Sequence, residues 1–402
     1  MARRVVITAY GVVSALGCTP KEIFQNLTAG KTAFRKSTWN PSLVVCPVDS
    51  FDVKAYTGRF KEARYLTRGA QFCAAAAMSA MADAHITEDM REETGLFVGS
   101  GPHFDLGADI PEIRHGVIDD QGIAALWMLK FLPNTPASAI AKLTDVHGEN
   151  ITIGNACAAS LQAIGEGYRK IKDGYLDMAL VGGGDSRLSP GGLLAYEKAR
   201  ALHVASGNAF TYAPFDKSRK GFVPGEGGAF FLLESMESAL ARKAPIHAEI
   251  CGFGSAIDGH NMTAPRPDGA YGEKAVLSAI TEAGLSPWEI DVISSHGTGT
   301  ILNDEMEANL IHRIFGHHQP LVIALKSWIG HLAAACGAVE LAVCLACLAH
   351  GFLPGIRNLE NACRDDIHLV RESLSIFPNT ILLENFGFGG QNSALVIKPW
   401  NR

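Results

Sequence analysis

Short apolar runs of strand length alternate along this chain with longer stretches whose small apolar residues recur at helical spacing. Arg4-Val-Val-Ile-Thr-Ala9, Thr94-Gly-Leu-Phe-Val98, Met178-Ala-Leu-Val181 and Gly228-Ala-Phe-Phe-Leu-Leu-Glu234 predict strands in the first part. Asp291-Val-Ile-Ser294, Leu321-Val-Ile-Ala324, Thr380-Ile-Leu-Leu383 and Ser393-Ala-Leu-Val-Ile397 predict strands in the second. Arg68 to Ala84 and Gly272 to Ala283 predict helices between them. Such alternation implies an α/β protein with layered, mainly buried sheets. The strand-then-glycine opening Arg4 to Gly11 recurs as Ala248-Glu-Ile-Cys-Gly-Phe-Gly-Ser255, so the chain reads as two duplicated halves, 1–245 and 246–402. No linker of flexible composition separates them near Ala244-Pro245, so one rigid unit is expected. Pro102 to Asp145 is the least regular region.

Two apolar stretches admit other readings. Met-Ala-Arg3-Arg4 followed by Val5 to Leu16 has the outline of a signal peptide, but Tyr10-Gly11 interrupts it, and a buried strand is expected. Leu332 to Ala349 is the longest apolar stretch, yet Glu340 lies near its middle. A membrane helix wants about 20 largely uncharged residues, so this one reads as a buried helix and no membrane span is expected. Cys344-Leu-Ala-Cys347 within it reads as core packing, because no second pair stands at zinc spacing; no metal site is expected.

Composition narrows the classes further. With 402 residues, 47% of them hydrophobic, the chain can bury one large core or two fused ones. A net charge of −6 gives no general affinity for nucleic acid or an anionic membrane. Nine cysteines, scattered among apolar neighbours, predict free thiols in a reducing cytoplasm.

One cysteine stands apart. In Ile151-Thr-Ile-Gly-Asn-Ala-Cys157-Ala-Ala-Ser-Leu-Gln, a β-branched run breaks at a glycine and delivers Cys157 to the start of an alanine-rich helix. Unpaired N–H groups at a helix N-terminus favour a thiolate over a thiol. Taken alone, a small buried residue is an equal reading, since free cysteine is among the most buried types. Two histidines in glycine-rich settings change the balance: His296 in Ser-Ser-His296-Gly-Thr-Gly-Thr300, and His331 in Lys326-Ser-Trp328-Ile-Gly-His331. A glycine turn, Asn385-Phe386-Gly-Phe388-Gly-Gly390, completes the set. A nucleophile and two imidazoles supply hydrogen-bond donors or proton carriers near neutral pH.

Together these motifs resemble a decarboxylating, elongating β-ketoacyl-acyl carrier protein synthase of the thiolase-fold superfamily. The resemblance is collinear from Arg4 to Pro399 and includes Ala9-Tyr-Gly-Val-Val-Ser-Ala-Leu-Gly17 and Pro214-Phe-Asp-Lys-Ser-Arg-Lys-Gly-Phe-Val-Pro-Gly-Glu-Gly227 besides the four elements above. It implies a thiolase-like five-layer αβαβα fold. It also implies condensation of an acyl-enzyme thioester with malonyl-acyl carrier protein, with loss of CO2, in fatty-acid or type II polyketide elongation. Substrates arrive on the carrier's phosphopantetheine, so no cofactor is expected.

The same resemblance assigns residues. Cys157 would take the acyl chain, and His296 and His331 would donate to the malonyl thioester oxygen. Phe388 would gate the site and offer its N–H to the acyl-cysteine oxyanion. Lys326 and Glu340 would form a buried pair bracing the histidines. Asp304 and Glu307 match carboxylates behind the first histidine, although a solvated helix start reads nearly as well. Thr298 and Thr300 would hydrogen-bond the pantetheine arm, and Phe386 and Trp328 would shape the pocket. Arg64, Arg68 and Arg200 would dock the acidic carrier, against the default of a solvated face. Pro102 to Asp145 would cap the site and contribute to a dimer and the acyl tunnel. The partner is a second copy or a ketosynthase-like chain-length factor.

Three departures stand out. Ala158-Ala159 replaces polar residues after the nucleophile, Trp328 is bulky for its position, and Glu384-Asn385 replaces a small polar pair, which puts a monovalent-cation site in doubt. They suggest a specialised pathway synthase. Other readings fit less well. A biosynthetic thiolase would carry a second catalytic cysteine where Gly387 to Gly390 stands, and an initiating synthase would replace one histidine by asparagine. A cysteine hydrolase would need an orienting carboxylate or amide. A non-catalytic chain-length partner, the remaining alternative, would lack Cys157.

Overall fold

The computed structural model describes residues 3–102, 113–114, 117–118, 125–204, 211–316 and 318–400. Its ten main strands are β1 (Val5–Val13), β2 (Gly95–Gly99), β3 (Asn150–Ile153), β4 (Met178–Ser186), β5 (Glu226–Ser235), β6 (Ala248–Ile257), β7 (Val292–Ser294), β8 (Leu321–Ile323), β9 (Ile381–Gly387) and β10 (Gln391–Pro399). Hydrogen bonding orders them β8-β7-β9-β10-β6-β1-β5-β4-β2-β3.

Outward from the β1–β6 seam, both halves read first, fifth, fourth, second, third strand. Pairing directions match as well. In each half the fifth strand is antiparallel to the first and the fourth, and the remaining pairs are parallel. The seam is short, running only from Val5 opposite Ile250 to Ile7 opposite Ala248. The first strand runs past the expected end at Ala9 to Val13, because a bulge between Ile7 and Ala9 lets Tyr10-Gly11 pair with Phe231 and Phe230.

Helices fill the layers. α1 (Arg68–Ala84) starts at Thr67, whose side chain accepts the Ala70 N–H, and it packs against β1, where a Cβ on Gly11 would lie 2.2 Å from the Ala76 carbonyl. α3 (Ala270–Glu282) covers the second half in the same way. Between the half-sheets lie α2 (Ala159–Lys172) and α5 (Cys336–Leu348). A Cβ at Gly165 of α2 would sit 2.3 Å from the Phe253 ring on β6, so only glycine lets this helix press on the second half-sheet. The expected five layers are present. Every residue of α5 is buried, Glu340 included, and among the described residues no helix is long and apolar enough to cross a membrane. Of the capping insertion, residues 103–112, 115–116 and 119–124 lie outside the described residues.

Candidate active site

Both central helices begin on one turn of 3-10 helix, Ala156–Ala158 before α2 and Ala333–Ala335 before α5. The first residue of each turn is left-handed, with φ +45° at Ala156 and +47° at Ala333. An L-residue in this conformation carries about 1–2 kcal/mol of strain, which surrounding packing must offset. The duplication therefore built the same elbow twice, and the first copy carries a thiol, Cys157. No side chain caps α2 at Ala158, and the first amides of the elbow turn back on it, Ala158 N–H to the Asn155 carbonyl and Ala159 N–H to the Ala156 carbonyl.

The Cys157 sulfur and one ring nitrogen from each of His296 and His331 lie within 4.8 Å of one another. All three line a cavity of about 530 Å³. His296 hangs from the loop between β7 and α4 (Ile301–Phe315), and His331 from the turn ahead of Ala333. The rings meet edge to face, with centroids 5.6 Å apart.

Hydrogen bonds decide where the imidazole protons sit. His331 Nδ1 accepts the Ala333 N–H at 3.0 Å, so its proton is on Nε2. Asn385 Nδ2 donates to Glu340 Oε2 at 2.8 Å and to the Glu384 carbonyl at 2.8 Å, which fixes the amide's orientation. The same Nδ2 approaches His296 Nδ1 at 3.4 Å and leaves Nε2 as the protonated nitrogen there too.

Charge and burial keep this set neutral. Burial and the Lys326 charge pull His331 down to about 3 and His296 well below its usual range. Burial pushes the Cys157 thiol up to about 11, against the opposing pull of a Phe388 backbone hydrogen bond and of Lys326. The expectation of a thiolate at the helix start is therefore reversed, because loss of hydration outweighs the Phe388 N–H and the Lys326 charge. Behind the triad, Lys326 Nζ and Glu340 Oε1 pair at 2.5 Å, both fully buried.

Asp304 and Glu307 are not a solvated helix start, for both are wholly buried. Glu307 accepts the N–H groups of His296 and Gly297 at 2.5 and 2.8 Å, and Asp304 accepts those of Phe215 and Gly299 at 2.7 and 3.1 Å. Thr298 and Thr300 line the cavity, and Thr300 also caps α4. Phe386 and Phe388 line it too, Phe388 being partly exposed.

Two residues depart from the sequence reading. Trp328 is absent from the cavity wall; its Nε1 donates to the Gly355 carbonyl at 2.8 Å and its ring lies under Arg357, so it is a packing residue. Arg68 is bound inward, its guanidinium on buried Glu226 at 2.7 Å and on the Val48 carbonyl, because that carboxylate needs a partner. Arg64 is exposed, and Arg200 is exposed at the cavity wall.

Other site residues escaped the sequence reading. Asp185, at the C-terminal end of β4, accepts the Ala334 N–H at 3.2 Å and a guanidinium N–H of Arg187 at 3.1 Å. A carboxylate at the end of a parallel strand is the signal that could have found it. Asp258, following β6, accepts from Asn392 at 2.7 Å, and both line the cavity. Glu384 and Asn385 leave β9 on opposite faces, one toward Glu307 and the other toward Gly337 and Glu340. Their oxygens do not converge on a single cation.

A thiol and two neutral Nε2–H donors at the floor of one cavity can hold an acyl thioester and stabilise an oxyanion above it. The same ligand atoms also match a zinc site in kind.

Comparison with known proteins gives one consistent result. The profile described as "Beta-ketoacyl synthase, N-terminal domain" matches residues 2–239, and "Beta-ketoacyl synthase, C-terminal domain" matches residues 247–360. The 3-oxoacyl-[acyl-carrier-protein] synthase 2 of Synechocystis is 31% identical, over 99% of this chain and 98% of its own. A crystal structure of a Beta-ketoacyl synthase from Burkholderia phymatum superposes with a TM-score of 0.90 at 30% identity, covering 99% of this chain and 100% of that one. The ishigamide ketosynthase/chain length factor gives 0.90 at 30% identity over the whole of both chains.

Proposed function

Since the chain belongs to the β-ketoacyl synthase family, we propose that it is an acyltransferase that condenses an acyl thioester with malonyl-acyl carrier protein, losing CO2, in fatty-acid or type II polyketide elongation. The observation that carries this reading is the convergence of Cys157, His296 and His331 on one cavity.

In the first step Cys157 sulfur attacks the thioester carbonyl of acyl-carrier protein. The new C–S bond forms as the pantetheine C–S bond breaks, and the thiol proton ends on the pantetheine sulfur. Thr298 and Thr300 would hold the pantetheine arm, and the Phe388 N–H, which points at the Cys157 sulfur, would receive the oxyanion. In the second step malonyl-carrier enters, and the two Nε2–H groups donate to its thioester oxygen while CO2 leaves. Each fixed donor aimed at developing charge is worth about 3–4 kcal/mol. The resulting enolate carbon attacks the acyl-cysteine carbonyl, the new C–C bond forming as the Cys157 C–S bond breaks; β-ketoacyl-carrier leaves, and the expelled Cys157 thiolate takes a proton from water.

Lys326 and Glu340 support the histidines from behind, and the two steps as written call on no metal or resident cofactor. Halves 1–245 and 246–402 supply the thiol and the histidines respectively. A cytoplasmic enzyme fits the nine free cysteines. The likeness to a ketosynthase/chain length factor supports a dimer with such a factor or with a second copy, and Arg64 and Arg200 remain the cations offered to the carrier. Incubation with acyl-carrier protein, followed by peptide mass spectrometry, tests the reading. An acyl adduct on Cys157, discharged as β-ketoacyl-carrier on adding malonyl-carrier, supports it. An unmodified Cys157 would return the chain to the non-catalytic chain-length class.

A further inference from the structure

Glu384 sits on the outer face of β9, between Leu382 and Phe386, which pack in the apolar cluster of Met306, Leu310 and Ile311. It is fully buried, and neither carboxyl oxygen meets a hydrogen-bond donor. They face the carboxyl of Glu307 on α4. Glu307 is already committed as an acceptor to the His296 and Gly297 amides and to Asn303 Nδ2 at 3.0 Å. Serving three donors requires its lone pairs, so the proton of this carboxyl pair belongs on Glu384.

Other charges around the pair do not change that order. Asp304, one turn earlier on α4, is a like charge, and Arg219 stands 3.8 Å from Asp304. Lys326 and Glu340 compensate each other on the opposite side of β9, and His296 is neutral. Across the strand pair, Glu384 faces Ala394. Two buried carboxylates in contact cannot both ionise. Burial and the Asp304 charge push Glu307 up to about 7, while burial and the facing Glu307 carboxyl push Glu384 well above the usual carboxylate range.

We propose that Glu384 is a positioning residue for His296: as a neutral carboxylic acid it donates to Glu307, which holds the His296–Gly297 backbone in place. The inference rests on the condensing reading of His296, and half of its test does not. Raising the pH strips the shared proton and leaves two facing carboxylates, which draws Glu307 off the two amides. Both groups hold protons more tightly when folded, so the folded state binds more protons than the unfolded one, and stability falls as pH rises from about 4.3 through 7 and beyond.

The experiment compares the full chain with Glu384→Gln and Glu384→Leu between about pH 5 and pH 9, reading the thermal midpoint and carrier-dependent turnover. Glutamine keeps a neutral N–H donor and cannot titrate. Its midpoint is expected to match wild type at the acid end and exceed it increasingly toward the alkaline end. Its turnover should lose its alkaline limit about 1–3 pH units later, the displacement a removed like charge brings. Glu384→Leu supplies no donor and should lower kcat more than it raises KM at every pH. Superimposable pH profiles for all three proteins would overturn the proposal. So would a midpoint that rises with potassium chloride but not with tetramethylammonium chloride, because a bridging cation would then hold the carboxyls. Failure of Cys157 acylation would sink the condensing reading and leave the stability measurement standing.

Discussion

The Nδ1 of His331 accepts the backbone N–H of Ala333 at 3.0 Å, and this single bond puts the ring proton on Nε2, facing the cavity. A donor that is neutral and fixed needs no protonation step. Replacing His331 by alanine should lower malonyl decarboxylation about 10²–10³-fold while Cys157 still acquires an acyl group. Separate assays of CO2 release and acyl-enzyme mass check this. Equal loss of both steps would refute the division of labour.

The same ring gives a stability prediction. Its affinity for protons falls from the usual 6.5 to about 3 on folding, so the unfolded chain binds the proton more readily. This contribution is present above about pH 6.5 and declines as pH falls toward 3, by about 1.4 kcal/mol per unit. Chemical denaturation at pH 7 and near pH 5 should show a steep acid loss that His331→Gln makes shallower. An unchanged slope in the variant would contradict it.

Much of this was legible in the chain because apolar periodicity records burial directly. Arg68–Ala84 is helical over the whole expected span, and the two strand-then-glycine openings mark a true duplication. Cys157, His296 and His331 could be named because a reactive atom on a glycine-rich turn leaves a local signature. Trp328 and Arg68 could not be placed, since a bulky ring or a cation has the same appearance in sequence whether it lines a cavity or finds Gly355 or Glu226 instead. The left-handed Ala156 and Ala333 left no trace either, because alanine does not advertise positive φ.

Lys326 and Glu340 answer each other inside the core, and neither has water to fall back on. Lys326→Met alone strands a buried carboxylate and should cost about 3–5 kcal/mol, whereas Lys326→Met with Glu340→Gln should recover most of that loss. Turnover should stay low in the double variant, because Glu340 also orients Asn385. Urea titration of the single and double variants decides the first point. Additive losses would mean that the two side chains do not depend on each other.

A thiol raised to about 11 predicts its own reactivity profile. Only about one molecule in a thousand is thiolate at pH 8, so alkylation of Cys157 by iodoacetamide should climb about tenfold per pH unit through pH 9 without levelling. Wild type and Cys157→Ala, compared by peptide mass spectrometry, isolate this site from the other eight cysteines. A plateau near neutral pH would mean that the helix start, the Phe388 N–H and Lys326 together outweigh burial after all.

The Phe388 loop rests against the elbow at Gly387, where an added Cβ would lie 3.0 Å from the Cys157 nitrogen and 3.1 Å from the Asn155 carbonyl. Both neighbours are backbone, so neither can turn aside, and the elbow or the loop must shift by a few tenths of an ångström. Small misplacements at reacting atoms cost up to about 10²-fold, so Gly387→Ala should slow acylation of Cys157 about 10–100-fold while costing only about 1–3 kcal/mol in stability. Gly389→Ala is the control. Its φ is +80° but its Cβ would meet only Gln391 Nε2 at 3.7 Å, so it adds backbone strain without touching the elbow. If rapid-quench acylation falls for Gly387→Ala and much less for Gly389→Ala, contact with the elbow controls the step. If both fall alike, the loop's freedom to swing controls it, and Phe388 acts as a gate before it acts as a donor.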